Sequence, residues 1–160
     1  MALEILYQDE HYVAVDKPAG LLVHRSTLAP TGRAALQLLR DQLGQRVFPV
    51  HRLDRATSGV LVLALSADAA ARLAKQFMAQ DTDKAYLAVT RGWLADSGQI
   101  SHPVADRDGD GQPKDAQTDY RCISRCELPF AVDRYATTRY SLAAICPRTG
   151  RRQQIRKHFK

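Results

Sequence analysis

Hydrophobic and polar positions alternate in two short N-terminal segments, which predicts a β-hairpin. Residues 3–7 and 12–17 are rich in Leu, Ile, Val and Tyr, and the residues between them are polar or charged. Pro18 and Gly20 end the second segment, because proline fixes φ and glycine permits a left-handed turn. Residues 21–24 again favour an extended strand.

Two later segments carry apolar residues at the spacing of one helical face. The first spans residues 33–43, with Thr31 as a candidate N-cap and Gly44 as a candidate stop. The second runs from an N-cap at Ser66 to about Gln80. The apolar stripe of this second helix is predicted to face the core and consists of Ala69, Ala70, Leu73, Ala74, Phe77 and Met78.

The remaining pattern predicts several strands. Residues 60–65 form a continuous apolar run typical of a buried strand, and Pro49 argues against a central strand just before it. Further strands are predicted at residues 84–91, 117–124 and 138–145, while residues 151–159 fit either a strand or a helix. Because strands and helices mix without regular βαβ alternation, the predicted fold class is α+β, with a mixed, mainly antiparallel sheet and flanking helices. The length of 160 residues, without an internal repeat or a clear linker, predicts a single domain.

Composition narrows the class of protein. With 45% hydrophobic and 25% charged residues, the chain has the composition of a soluble globular protein. No apolar run approaches the roughly 20 residues of a membrane helix, and the acidic N-terminal segment has no secretory signal. The three cysteines, at irregular spacing, are too few for a disulfide framework. We therefore expect a cytoplasmic protein with no membrane partner.

Positive charge is concentrated at one end of the sequence. Six of the 23 Lys and Arg residues lie in residues 148–160, which contain no Asp or Glu. In the rest of the chain, the remaining 17 Lys and Arg residues balance the 17 Asp and Glu residues. A polyanion such as RNA would be attracted to this segment by neutralisation of its phosphates. A solvated basic tail is the alternative that charge alone leaves open.

One polar loop combines a carboxylate with flanking cations. Asp54 lies between Arg52 and Arg55, immediately before the apolar run of residues 60–65. A neighbouring cation favours the ionised carboxylate, and loops on a rigid scaffold often carry catalytic groups. Asp54 can therefore be a catalytic residue, or it can form a salt bridge that only holds the loop.

The sequence gives less support to a calcium site, a histidine metal site or a nucleophilic serine. The segment from Asp106 to Gly111 matches the first six positions of an EF-hand calcium loop, but the twelfth position is the uncharged Gln117. The five histidines include no helical i, i+4 pair, so no metal site is expected. Ser58 lacks the Gly-x-Ser-x-Gly turn of a nucleophilic serine.

Several motifs, in order along the chain, resemble one family. The sequence His51-Arg52-Leu53-Asp54-x-x-Thr57-Ser58-Gly59 resembles the signature of the RluA-type pseudouridine synthases. The N-terminal hairpin with Lys17-Pro18-x-Gly20, the segment around Lys84 and Tyr86, and Gly150-Arg151-x-x-Gln154-Ile155-Arg156-x-His158 are similar to its other motifs. Residues 22–26 and 135–140 look most like the branch of the family that acts on tRNA.

The resemblance implies an enzyme that isomerises uridine to pseudouridine in structured RNA without a cofactor. It implies catalytic roles for Asp54, Tyr86 and Arg156, and insertion of Arg52 where the uridine leaves the stack. Together with the charge pattern, it predicts these RNA-binding residues: Arg52, Arg55, Arg148, Arg151, Arg152 and Lys157. The expected partner is RNA, with tRNA favoured over rRNA, and the expected state is a monomer.

The resemblance also implies that the family's catalytic domain continues beyond the basic motif, so the chain is expected to lack the C-terminal part of that domain. An RNA-binding module that keeps the fold without the chemistry is therefore an alternative function. A carboxylate-dependent sugar hydrolase is a third and weaker one, because no second acid occurs in a comparable context.

Overall fold

A computed structural model describes residues 2–25, 33–105 and 111–160 of the chain. The chain divides into two compact units, Met1–Asp81 and Thr82–Lys160. Both units consist of antiparallel sheet with few helices, so the predicted α+β class is confirmed. Among the described residues, no helix has both the length and the apolar character needed to cross a bilayer.

The first unit contains a four-stranded antiparallel sheet with the strand order β1-β2-β4-β3. The strands are β1 (Glu4–Gln8), β2 (Tyr12–Lys17), β3 (Phe48–Pro49) and β4 (Gly59–Ala64). Alternate side chains of β2 and β4 enter the core, where Val13, Val15, Leu61 and Leu63 are fully buried. Because β3 lies at the sheet edge, the expectation that Pro49 would not occupy a central strand is confirmed.

Two helices accompany this sheet, α1 (Ala35–Leu43) and α2 (Ala67–Ala79). The predicted Ser66 cap is confirmed, since its Oγ accepts the Ala69 N–H at 3.2 Å. Gly44 ends α1 with φ 65°, a conformation that favours glycine. The N-cap of α1 is Ala34, and Thr31, the cap predicted from the sequence, lies outside the described residues.

Two predictions about the first unit are wrong. Met78 was expected in the core, but it is 75% exposed, and Ala69 is the buried residue of α2. Residues 21–24 do not form a strand. The carbonyls of Leu22 and Val23 instead accept the N–H groups of Ala35 and Leu36 at the start of α1, which removes them from strand pairing.

The second unit contains a four-stranded antiparallel sheet, a two-stranded ribbon and a short helix. The sheet has the order β5-β10-β9-β6, with β5 (Tyr86–Arg91), β6 (Ser97–Ser101), β9 (Gln117–Leu128) and β10 (Thr138–Pro147). The ribbon pairs β7 (Val104–Ala105) with β8 (Pro113–Lys114), and the helix is α3 (Gln154–His158).

The structure extends the sequence-based description of this unit. Strands β5, β9 and β10 were predicted, although β9 and β10 continue further than expected. Residues 151–159, left open between strand and helix, contain the helix α3. The calcium-like motif falls mainly on residues 106–110, which lie outside the described residues.

Candidate active site

The loop that carries Asp54 joins the edge strand β3 to the central strand β4. Leu53 is buried, with 6% exposure, whereas Asp54 is partly exposed and its neighbours Arg52 and Arg55 are exposed. The Thr57 N–H donates to the Asp54 carbonyl at 3.0 Å, which closes a turn directly after the carboxylate. Leu53 thus anchors the loop in the core while Asp54 remains accessible to solvent.

Within residues 2–25, 33–105 and 111–160, the Asp54 carboxylate forms no salt bridge that holds its own loop. Among the ion pairs of the described residues, none joins Asp54 to Arg52 or Arg55. The Arg55 side chain turns the other way, and its Nε donates to the Gly20 carbonyl at 3.0 Å. The loop is therefore attached to the turn after β2 rather than held by an internal ion pair.

A buried lysine completes that attachment. Lys17 is fully buried, and its Nζ donates to the carbonyls of Pro18 at 2.9 Å, Leu21 at 2.8 Å and Arg55 at 3.4 Å. The Arg55 carbonyl also accepts the Gly20 N–H at 2.7 Å. One ammonium group therefore links the turn after β2 to the residue that follows Asp54.

Electrostatics couple Lys17 to Asp54. Burial lowers the pKa of Lys17, and the negative charge of Asp54 acts in the opposite direction by favouring the ammonium form. The sequence contained a signal for this residue, because Lys17 follows Val13 and Val15 at strand alternation and so falls on the buried face. A lysine there needs polar partners, and the motif resemblance alone did not identify its role.

His51 has a structural role at the start of the loop, on the side of Asp54 opposite to Arg55. Its Nε2 accepts the Val62 N–H at 2.9 Å, and its ring stacks on Phe77 with centroids 4.8 Å apart. Burial lowers the pKa of His51 to about 4, so the ring is neutral at pH 7 and carries its proton on Nδ1. His51 therefore joins the start of the Asp54 loop to both β4 and α2.

In the second unit, Tyr86 begins β5 and pairs with Ile145 of β10. Its side chain is half-buried, so part of the ring is accessible.

The helix that carries Arg156 is fixed by a buried glutamine. Gln154 is 4% exposed, and its side-chain oxygen accepts from the Thr149 hydroxyl at 2.7 Å and the Arg151 N–H at 2.9 Å. Its amide nitrogen donates to the Gln117 carbonyl at 2.9 Å and the Thr118 hydroxyl at 2.8 Å. All four hydrogen-bonding positions of the amide are thus used two residues before Arg156.

His158 reinforces the same attachment. Its Nε2 lies 3.0 Å from the His102 carbonyl, which can only accept, so Nε2 carries a proton. Its Nδ1 lies 2.9 Å from the Thr118 hydroxyl. Helix α3 is therefore held by polar contacts to β9 and to the segment before β7.

Several basic side chains of residues 148–160 that were predicted to bind RNA already have partners within the protein. Arg148 pairs with Asp119 at 2.6 Å, and the hydrogen bonds from Gln99 and Arg148 lower the pKa of that carboxyl. Arg151 Nε and Lys157 Nζ donate to backbone carbonyls of Asp115 and Ala105. Arg156 is exposed, and Arg152 is half-exposed.

The two units thus divide the predicted site residues between them. The first unit brings together Arg52, Asp54 and Arg55 on one loop, and the second carries Tyr86 and all the predicted residues of the basic segment. In the part of the chain that the structure describes, no three His, Cys, Asp or Glu side chains form a group that could hold a metal ion.

Comparison with known proteins defines the family. Residues 11–160 match the RNA pseudouridylate synthase family. The tRNA pseudouridine synthase C of Pasteurella multocida is 48% identical over 170 residues, which cover 100% of this chain and 70% of that protein. The protein of the same name from Haemophilus influenzae is 48% identical over 168 residues, covering 99% of this chain and 70% of the relative.

Solved structures agree with this similarity. Human RNA Pseudouridylate Synthase Domain Containing 1 matches with a TM-score of 0.76 and 27% identity, over 98% of this chain and 63% of that one. Human RNA Pseudouridylate Synthase Domain Containing 4 matches with a TM-score of 0.71 and 25% identity, over 97% of this chain and 62% of that one. The chain thus spans less than two thirds of either solved chain. It belongs to the RNA pseudouridylate synthase family, as its motifs predicted.

Proposed function

We propose that the chain carries the nucleophile-bearing part of an RNA pseudouridine synthase, with Asp54 as its catalytic carboxylate. The observation that carries this proposal is the loop itself: Asp54 is accessible, while Lys17, Leu53 and His51 fix the backbone on both sides of it. Preorganised groups of this kind are what catalysis requires. Family membership supports the same assignment.

The reaction exchanges one bond of the nucleoside for another. The N1–C1′ bond of uridine breaks, a C5–C1′ bond forms, C5 loses a proton and N1 gains one. The Asp54 carboxylate starts this exchange by attacking the ribose or the uracil, or by assisting deprotonation of the sugar. In all three cases it must be ionised.

The other predicted residues take supporting roles in this proposal. A uridine in a duplex must leave the stack before it reacts, and the exposed Arg52 fills the space that it leaves. Arg156 takes the role of the family's basic group that keeps the catalytic carboxylate ionised, and Tyr86 stacks against the uracil ring and helps to move the C5 proton. Arg55, Arg148, Arg151, Arg152 and Lys157 contribute positive charge toward the phosphates.

The substrate proposed within this class is tRNA. Support comes from the two relatives named tRNA pseudouridine synthase C and from residues 22–26 and 135–140, which resemble the tRNA branch. A monomeric state and a cytoplasmic location are part of the same proposal and come from the sequence alone. A synthase that acts on rRNA is the alternative within the family.

Asp54→Asn tests the catalytic assignment. The variant keeps the size of the side chain but cannot act as a carboxylate, so we expect loss of tritium release from C5-labelled uridine in tRNA, with RNA binding retained. Asp41→Asn is the matched control, because Asp41 is 53% exposed and its ion pair joins it only to the adjacent Arg40. Equal turnover by Asp54→Asn and the unmodified chain would exclude Asp54 as the catalytic group.

The same assay separates the two classes of function. An RNA-binding module binds labelled tRNA but releases no tritium in either the unmodified chain or the variants. A synthase releases tritium in proportion to the pseudouridine that it forms. Mapping pseudouridines in tRNA and rRNA from a strain that lacks the protein then identifies the substrate.

A further inference from the structure

Exposed aromatic side chains and arginines gather at one end of the sheet in the second unit. Trp93 is 55% exposed, Phe130 64% and Tyr135 55%. Arg134 and Arg139 lie among them. We call these five residues the aromatic–arginine surface, and none of them is among the residues assigned to the reaction.

The backbone brings these residues to the same end of the sheet. Trp93 follows the end of β5, and the Gly92 N–H donates to the Arg139 carbonyl at 2.8 Å. Phe130 and Tyr135 lie in the connection from β9 to β10, where the Thr138 hydroxyl donates to the Phe130 carbonyl at 2.8 Å. The end of one strand and the connection between two others therefore meet there.

Cations lie on the faces of two of the rings. The Arg139 guanidinium is 4.2 Å from the Trp93 ring centroid, and the Arg134 guanidinium is 5.3 Å from that of Tyr135. Such pairs hold an aromatic ring in a fixed orientation at an exposed site. The rings are thus presented to solvent instead of packing into a core.

The charges of the side chains named at this end of the sheet cancel. Glu127 is neutralised by Arg139 at 3.1 Å, and Asp96 by Arg125 at 2.6 Å. Arg134 has no carboxylate partner among the ion pairs of the described residues, and the remaining acid of the connection is Asp133. Rings with adjacent cations and little net charge suit bases more than a purely electrostatic contact with phosphates.

This surface is remote from the basic segment of the same unit. Strand β10 has ten residues, with Thr138 at the aromatic–arginine end and Pro147 directly before the basic segment. At about 3.3 Å per residue, the two ends are about 30 Å apart. One RNA that contacts both ends must therefore span about 30 Å.

We propose that the aromatic–arginine surface binds unpaired bases of the substrate RNA, at the end of the sheet opposite to Tyr86 and the basic segment. The inference rests on the proposed function, because it takes RNA as the substrate. Unpaired bases stack on aromatic rings and arginine planes, whereas bases inside a duplex offer no free face. The surface also contains part of residues 135–140, on which the preference for tRNA partly rests.

Trp93 allows a direct test, because it is the only tryptophan of the chain. Titration of the full chain with unmodified tRNA is followed by tryptophan fluorescence and, in parallel, by anisotropy of labelled tRNA. Stacking of a base on the indole should quench the fluorescence with the same dissociation constant as the anisotropy. Binding seen by anisotropy with unchanged fluorescence would overturn the proposed contact at Trp93.

Substitution tests the remaining rings. In Phe130→Leu/Tyr135→Leu, the side chains stay apolar but lose their aromatic faces, so we expect tRNA to bind at least about fivefold more weakly, the lower limit for loss of one stacked base. Tyr7→Leu is the matched control, because Tyr7 is 57% exposed and lies in the first unit. A continuous RNA duplex without unpaired bases should bind all these proteins equally well.

The outcomes separate this inference from the proposed function. If the double variant binds tRNA with unchanged affinity, or loses affinity for the duplex to the same extent, the stacking surface is wrong. If the unmodified chain binds tRNA and the variant loses affinity, but no tritium is released, the surface stands and the proposed reaction fails. If the unmodified chain binds no RNA, both fail.

Discussion

Protonation of His51 should loosen the loop that carries Asp54. The neutral ring accepts the Val62 N–H through Nε2, and a protonated ring cannot accept there. Lowering the pH therefore removes the hydrogen bond that joins the start of the loop to β4. It also places a positive charge in a largely buried position against Phe77.

The size of this effect follows from the difference in pKa. In the folded chain the pKa of His51 is lowered from 6.5 to about 4, so between these values the unfolded state binds more protons. The stabilisation is fully present above pH 6.5 and is lost progressively as the pH falls towards 4. At about 1.4 kcal/mol per pKa unit, the free energy of unfolding falls by about 3 kcal/mol from this group.

Two measurements check this prediction. A proton NMR titration should show the ring signals of His51, assigned by their absence in His51→Gln, unchanged from pH 8 to about pH 5. Urea unfolding at pH 6.5 and 4.5, followed by circular dichroism, should show a smaller loss of stability in His51→Gln than in the unmodified chain, because glutamine does not titrate. A titration midpoint near 6.5 for His51 would refute the reasoning.

Three further substitutions test the supports of the site. Lys17→Met should lower the free energy of unfolding by about 2–4 kcal/mol in urea denaturation, since three backbone carbonyls lose their shared donor; an unchanged urea midpoint would contradict the role given to the ammonium. Gln154→Leu should cost about 3 kcal/mol and reduce turnover, because four hydrogen bonds to the start of α3 are lost. Its control Gln153→Leu, at a position without a side-chain cap hydrogen bond, should change little, and equal losses in both would argue against the buried network. Arg52→Ala should slow turnover on a uridine in duplex RNA more than on one in a flexible loop, and an equal effect on both would argue against insertion of Arg52 into the stack.

Local patterns predicted much of the fold. The alternation of residues 12–17, the stop at Gly44, the Ser66 cap and the apolar run before it all correspond to observed elements. These features depend on contacts within a few residues, which the sequence displays directly. The prediction of a strand at residues 21–24 was wrong, because the carbonyls of Leu22 and Val23 accept hydrogen bonds from the start of α1. The composition of residues 21–24 does not indicate these hydrogen bonds.

The candidate site likewise combines features that the local sequence indicates with features that depend on contacts between distant segments. The motif around Asp54 identified the loop, but it suggested an ion pair with the flanking arginines that the structure does not contain. The groups that hold the loop are Lys17 and His51, and their partners lie 38 and 11 residues away in the sequence. Gln154 likewise reaches back 36 residues to Thr118.

By itself, the sequence determined the family, the α+β class, the candidate carboxylate and the location of the excess positive charge. These properties depend on residue type, local spacing and composition. Tertiary structure decided which polar groups are buried and which remain accessible, because burial results from contacts between distant segments. It thereby showed that a lysine and a neutral histidine support the Asp54 loop, that several basic side chains already have protein partners, and that exposed rings gather at the far end of β10.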